Sequence, residues 1–130
     1  MKPGPALALL GVAYALSGCG ASASDQVQAK LEQFAQAVSK RDTATLCNQV
    51  LAPDLVGHLN AAGLSCQQAM RTFVRSVSDP SLSVAKVHVT GGKASAMVLA
   101  RAKGQPSSVE AVQLTNTKDG WRLASLASPR

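Results

Sequence analysis

The amino-acid sequence predicts an α+β domain in which a helical first half packs on one face of a four-stranded antiparallel sheet. Between residues 25 and 77, apolar residues recur at the three- and four-residue spacing of amphipathic helices. After Asp79-Pro80 they alternate with polar residues, which is the pattern of half-buried strands. Gly91-Gly92 lies between two such runs and is a hairpin signal. Helices followed by an antiparallel meander are typical of the α+β class.

Four helices are predicted, at about residues 25–39, 42–51, 53–62 and 66–77. The first has a single apolar face made of Val27, Leu31, Phe34, Ala35 and Val38. The helix bounds follow from capping and stop signals. These signals are Ser24 or Asp25 and then Asp42 as N-caps, Pro53 in a first turn, Gly63 as a stop, and Ser65 with Gln68 as a capping box.

Four strands are predicted after the helices, at about residues 81–90, 93–102, 108–115 and 121–126. Turns that contain glycine separate them, at residues 91–92, 104–107 and 117–120. Late in the first strand, alternation places Ala85, Val87 and Val89 on one face and Lys86 and His88 on the other.

The N-terminus has the pattern of a bacterial lipoprotein signal peptide. Lys2 supplies a positive charge, and an apolar run from Ala6 to Leu16 follows it. This run is shorter than the roughly 20 apolar residues that a membrane-spanning helix needs, and it suits a signal-peptide core. Residues 16–19, with the sequence LSGC, resemble a lipobox. The resemblance implies cleavage before Cys19 and a lipid on its thiol.

This interpretation divides the chain into a signal peptide at residues 1–18, a lipidated Cys19 with a short tether at residues 19–24, and one domain at residues 25–130. The expected location is the extracytoplasmic face of the cell membrane, with the N-terminal lipid as the link to the bilayer. Two alternatives stay open. The sequence ASA at residues 21–23 could be an ordinary cleavage site that releases a soluble protein, or the apolar segment could stay uncleaved.

The number of cysteines agrees with this division into a signal peptide, a lipidated Cys19 and one domain. The chain has three of them, an odd number that is awkward for an exported protein. Lipidation of Cys19 leaves Cys47 and Cys66, which an oxidising compartment would pair as a structural staple. A redox pair would favour a C-x-x-C spacing, and a zinc site would need more ligands than the intervening His58. The sequence therefore predicts a disulfide and no metal.

Composition and charge narrow the function further. The net charge is +6, but the basic residues are scattered and the nearest approach to a run is Lys40-Arg41. After the signal segment the only aromatic residues are Phe34, Phe73 and Trp121, too few for a stacking platform beside a basic groove. Nucleic acid is therefore not an expected partner. No phosphate loop or catalytic triad pattern occurs, and no cofactor is expected.

Three segments carry a family resemblance by their order in the chain. They are the apolar face formed by Val27, Leu31, Phe34 and Val38, the charged turn Lys40-Arg41-Asp42, and the closing strand Gly120-Trp121-Arg122-Leu123. A long first helix, short helices and a curved antiparallel sheet resemble the NTF2-like superfamily, also called the cystatin-like cone. The chain is also similar to small exported lipoproteins of high-GC bacteria with two cysteines in the helical half.

The resemblance implies a pocket inside the cone and suggests which residues could serve it. Isomerases and dehydratases of the superfamily use an acid or base in the cone, often with a tyrosine as oxyanion donor. Tyr14 lies in the signal segment, so that donor is unavailable here. The candidate pocket residues are His88 and Glu110, as general bases, and Trp121, as a wall. Solvent-facing positions for both bases and a core position for Trp121 are the simpler interpretations.

Two hypotheses about function follow. The first is a non-enzymatic binding or accessory domain of the cell envelope, whose partner is a small apolar ligand or a protein. The alternative is an isomerase- or dehydratase-type enzyme with His88 or Glu110 as its general base. The resemblance also implies a homodimer formed through the sheet. A third alternative is a stress-related or structural envelope lipoprotein whose domain is only a spacer. Fold alone does not choose between these hypotheses.

Overall fold

The computed structural model describes residues 22–126, and the predicted α+β class is confirmed for them. The predicted signal peptide and its lipidation residue Cys19 lie outside the described residues, as do residues 127–130. The described elements are α1 (Ala23–Lys40), α2 (Thr43–Thr45) continued by a π-helical turn (Leu46–Val50), α3 (Pro53–Ala61), α4 (Cys66–Arg75), β1 (Ser81–Thr90), β2 (Lys93–Ala102), β3 (Gln105–Thr117) and β4 (Gly120–Leu123).

Helix α1 begins earlier than predicted. The Ser22 hydroxyl accepts a hydrogen bond from the backbone N–H of Asp25 at 3.1 Å, so Ser22 is the N-cap. The prediction of Ser24 or Asp25 as the cap is wrong. Asp25 lies in the first turn instead, where a negative charge interacts favourably with the helix dipole. Residues 23 and 24, the last two of the predicted tether, therefore belong to α1.

The predicted second helix divides into α2 and the π-helical turn. Asp42 is the N-cap as predicted, and its carboxylate accepts hydrogen bonds from the Thr45 hydroxyl at 2.7 Å and the Thr45 backbone N–H at 3.1 Å. The side-chain bond, followed by the backbone bond, lowers the pKa of Asp42. A regular helix through Leu51 is wrong, because the N–H of Leu51 bonds back to the carbonyl of Leu46 at 2.9 Å. This wider turn accompanies the burial of both Leu46 and Val50.

Helices α3 and α4 follow the predicted signals, and a disulfide joins α4 to the π-helical turn. Pro53 lies in the first turn of α3, and Ser65 forms the predicted capping box with Gln68 at the start of α4. The predicted bridge between Cys47 and Cys66 is present, with Cα atoms 5.9 Å apart. The bridge holds the first residue of α4 beside the turn that precedes α3.

The sheet has the strand order β1-β2-β3-β4, and all neighbouring strands are antiparallel. A β-bulge between Val84 and Lys86 shifts the alternation of β1 by one residue. Ala85 is therefore exposed, and the prediction that it shares a face with Val87 is wrong. A period-two pattern cannot reveal the extra residue, because it assumes an unbroken ladder.

Two strand ends also differ from the prediction. Strand β3 already begins at Gln105, because Gly104 adopts a φ of 77° and makes a tight turn instead of the longer predicted loop. Strand β4 ends at Leu123 rather than at residue 126. Beyond it, the backbone N–H of Ala124 bonds to the carbonyl of Gln113 at 2.7 Å, outside the regular ladder.

The hydrophobic core lies between the helices and one face of the sheet, which we call the inner face. The opposite face, called the outer face, carries exposed residues such as Val109. The largest fully buried side chains are Leu31, Leu46, Leu51, Leu114, Leu123, Val27, Val50 and Val98. Within residues 22–126, no helix has the length and apolar character that crossing a membrane requires.

Candidate functional site

A cavity of about 490 Å³ lies between the inner face and the C-terminal parts of α1 and α4. Its volume falls within the range of about 300–1,000 Å³ that is typical of small-molecule sites. The lining is mostly apolar and consists of Phe34, Ala35, Val38, Phe73, Ser76, Val77, Pro80, Ser81, Leu82, Val98, Ala100, Arg101, Ala102, Gln105, Pro106, Ser108, Glu110, Val112, Leu123 and Leu126. We call it the main cavity.

The space in the main cavity arises where small residues face large ones. Ala35 on α1, and Ala100 and Ala102 on β2, present only methyl groups to the interior. On the helical side, the rings of Phe34 and Phe73 stack with centroids 6.2 Å apart. This pair holds α1 and α4 together at the cavity and gives it an aromatic wall.

The mouth of the main cavity is held together by hydrogen bonds between neighbouring loops. The Gln105 side-chain amide donates to the carbonyl of Ser76 at 3.0 Å. The backbone N–H of Lys103 donates to the carbonyl of Ser78 at 2.7 Å. The register of β2 and β3 shifts between Ala100 and Ala102, and the exposed Arg101 at this irregularity lines the cavity. β-bulges often re-aim a side chain in this way.

Glu110 lies on the inner face and lines the main cavity. It pairs across the ladder with Val98, which is 1% exposed, and it shares its face with Ser108 and Val112. The side chain itself is half-buried. Within residues 22–126, no group hydrogen-bonds or ion-pairs with its carboxylate. The solvent-facing position considered simpler from sequence is therefore wrong for Glu110.

The position of Glu110 could have been found from sequence by counting along β3. Val112 and Leu114 are the buried residues of that strand, and Glu110 lies two positions before Val112, so its side chain is on the same face of the sheet. Val109 and Ala111 obscure this pattern, because they are apolar but lie on the opposite face, where both are exposed.

His88 does not reach the main cavity. It is exposed, and its Nε2 lies 3.1 Å from the hydroxyl of Thr90, which is also exposed. The neighbouring Val87 and Val89 pack against the core, so His88 belongs to the outer face. The structure therefore removes His88 from the candidate pocket residues, in agreement with the simpler interpretation.

Trp121 belongs to the core, where it is 4% exposed, and it borders a second, smaller cavity. This cavity lies beside Lys30 near the N-terminal part of α1, and Trp121 is not among the residues that line the main cavity.

The Lys30 ammonium donates to the Gln33 side chain at 2.7 Å and to the carbonyl of Gln49 at 3.0 Å. Burial, and then the charge of Arg122, lower the pKa of Lys30.

Arg122 is a structural residue that the sequence did not single out. Its guanidinium donates to the carbonyls of Asn48 at 3.2 Å and Leu51 at 3.5 Å, at the end of the π-helical turn. These contacts tie the last strand to a segment more than 70 residues earlier in the chain.

Among the described residues, no three His, Cys, Asp or Glu side chains form a group that could hold a metal.

Comparison with known proteins relates this architecture to one fold. No protein-family model and no curated protein matches the chain. Among solved structures, the chain is similar to a SEC-C motif containing protein from Rhodopseudomonas palustris, with 18% identity, a TM-score of 0.59, and coverage of 82% of this chain and 80% of that one.

Two further solved structures carry the name of the fold. An NTF2-like protein of unknown function from Silicibacter pomeroyi is 14% identical with a TM-score of 0.56, covering 77% of this chain and 88% of that one. A protein from Streptomyces avermitilis, provisionally described as a dehydratase of the NTF2-like family, is 19% identical with a TM-score of 0.53, covering 78% and 90%. At these identities the likeness concerns the fold. The domain at residues 22–126 therefore has the NTF2-like fold.

Proposed function

We propose that the chain is the precursor of an exported lipoprotein, anchored through a lipid on Cys19 at the extracytoplasmic face of the membrane. The support is the sequence pattern, in which a short apolar run ends in the lipobox-like residues 16–19. The fold is compatible with such a tether, because α1 begins at Ala23 with an exposed N-cap. Lipidation also explains the cysteine that remains when Cys47 and Cys66 pair.

The anchor is tested by the intact mass of the protein extracted from membranes of the producing bacterium. We expect a mass equal to residues 19–130 plus a diacylglyceryl group and any further acyl chain. A matched Cys19→Ala variant should lose the lipid and the lipoprotein cleavage. A wild-type mass that begins at residue 24 without lipid would show that the ordinary cleavage site at residues 21–23 is used instead.

We further propose that the domain is a non-enzymatic binding module for a small apolar ligand. The observation that carries this proposal is the main cavity, whose walls are largely Ala, Val, Leu and Phe side chains. A concave apolar space with a few polar groups at its edge is the usual form of a small-molecule site. Transfer of an apolar ligand into it would contribute about 25 cal/mol for each Å² removed from water.

Filling part of the main cavity should weaken ligand binding strongly. Ala100→Trp places an indole inside the cavity, and Ala111→Trp makes the same change on the outer face of the same sheet. We expect wild type and Ala111→Trp to bind the uncharged fluorophore N-phenyl-1-naphthylamine, and Ala100→Trp to bind it at least tenfold more weakly. The measurement is a fluorescence titration of the full chain in lipid nanodiscs, with empty nanodiscs as the blank.

Circular dichroism of both variants would establish that they remain folded. Equal fluorescence in all three proteins would place the fluorophore in the lipid and contradict an apolar binding site. Loss of binding in Ala111→Trp alone would move the site to the outer face. Either result would overturn the proposed function of the main cavity.

An isomerase- or dehydratase-type enzyme is the second candidate function, and one observation favours it. Glu110 lines the main cavity, where a carboxylate could remove a proton from a bound substrate. The polar side chains that share the lining are Ser76, Ser81, Gln105 and Ser108, besides Arg101. The enzyme hypothesis requires one of them to contact the substrate atom on which negative charge develops.

A further inference from the structure

We infer that the ligand of the main cavity carries a protonated amine on its apolar body, and that the Glu110 carboxylate binds this amine. The inference rests on the proposed apolar-ligand function and adds the charge of the ligand to it. Its basis is the half-buried position of Glu110 in the lining, its lack of a partner within residues 22–126, and the exposed position of Arg101, the other charged residue of the described lining.

Glu110 is set into the apolar part of the cavity wall. Its ladder partner Val98 is 1% exposed and its face neighbour Val112 is 5% exposed. A carboxylate beside such side chains loses part of its hydration, which is unfavourable unless a donor replaces the water. The protein supplies no donor to this carboxylate within residues 22–126. A ligand that brings its own N–H donors and a positive charge would compensate for this loss.

Arg101 lies nearer to solvent than Glu110 does. Along the paired strands, the order from interior to mouth is Val98 opposite Glu110, then Ala100 opposite Ser108, then the irregularity that contains Arg101. Arg101 is exposed, so water screens its charge, whereas Glu110 is half-buried. The electrostatic preference of the interior is therefore set by the carboxylate, which attracts a cation and repels an anion.

A matched series of rigid ligands tests this inference. Adamantan-1-amine, adamantan-1-ol and adamantane-1-carboxylate share one apolar body and differ in its single polar group, which is positively charged, neutral or negatively charged. We would titrate each into the full chain in nanodiscs and follow the methyl NMR signals of Val98 and Val112, with Val109 on the outer face as the internal reference. We expect the amine to bind about tenfold more tightly than the alcohol, as a charge-assisted hydrogen bond implies.

Two variants distinguish a specific contact between the amine and the Glu110 carboxylate from the effect of the protein's overall charge. Glu110→Gln keeps the shape of the side chain but removes its charge, and it should remove the preference for the amine over the alcohol. Glu32→Gln removes the same charge from an exposed position on α1 and should leave the preference for the amine intact.

The possible failures are distinguishable. If none of the three ligands shifts the Val98 and Val112 signals, the apolar-ligand function itself fails for this class of molecule. If all three bind with equal affinity, or if the carboxylate binds most tightly, the function stands and the amine inference is overturned. Retention of the amine preference in Glu110→Gln would also overturn it, because another group would then hold the amine.

Discussion

Replacing both Cys47 and Cys66 with alanine is expected to lower the free energy of unfolding by about 3 kcal/mol, as the loss of a cross-link that closes a loop of this length implies. The two residues are 19 positions apart, and the bridge constrains the segment that contains α3. Without it the unfolded chain gains conformational freedom, while the folded chain loses the tie between α4 and the π-helical turn. Urea unfolding followed by circular dichroism measures the difference.

Reduction of the wild-type protein is the matched control for the double variant. Reduced wild type and the Cys47→Ala, Cys66→Ala protein should show the same midpoint of unfolding, well below that of the oxidised protein. A difference below about 1 kcal/mol between the oxidised and reduced forms is less than a stabilising disulfide usually contributes, and it would contradict the role of the bridge as a staple. In that case the helical half would be held by its core contacts alone.

The second large effect is expected at Leu31, which is 0% exposed in the middle of α1. Leu31→Ala removes buried methyl and methylene groups and leaves a void, which costs about 2–5 kcal/mol depending on how far the site relaxes. The same urea experiment measures the loss. Leu64→Ala makes the identical change at a residue that is 47% exposed, and surface substitutions of this kind change stability by less than about 0.5 kcal/mol.

Equal effects of the two leucine substitutions would contradict the placement of Leu31 in the core. An effect of Leu31→Ala on cavity binding as well as stability would indicate that α1 shifts when the void forms. Phe34 lies about one turn further along α1 and lines the main cavity, so the NMR signals of its aromatic ring offer a way to detect such a shift.

Most of the fold could be predicted from the sequence because its signals are local. Asp42, the Ser65–Gln68 pair and Pro53 start helices through contacts with residues close by in the chain. The departures from the prediction are set by packing. The π-helical turn accompanies the burial of Leu46 in the core, and the bulge before Lys86 changes the register of two strands, which no local pattern records.

The candidate site was harder to predict than the fold. The sequence makes Glu110 a candidate, but it does not show which face of the sheet the side chain occupies. That depends on which of two sets of alternating apolar residues in β3 is covered by the helices. Arg101 lines the cavity beside the register shift between β2 and β3, which the alternation of residues in the sequence does not show. The contact of Arg122 with Asn48 depends on tertiary structure, because the two residues are 74 positions apart.

Helix α1 has two ends with different roles if the lipid anchor is as proposed. The main cavity contacts α1 only from Phe34 onward, about 16 Å along the helix axis from Ala23 at 1.5 Å per residue. Anchoring and ligand capture would then be mechanically separable. Lengthening the chain before Ser22 would raise the cavity above the bilayer and change where it meets its ligand, while its affinity for that ligand would stay the same.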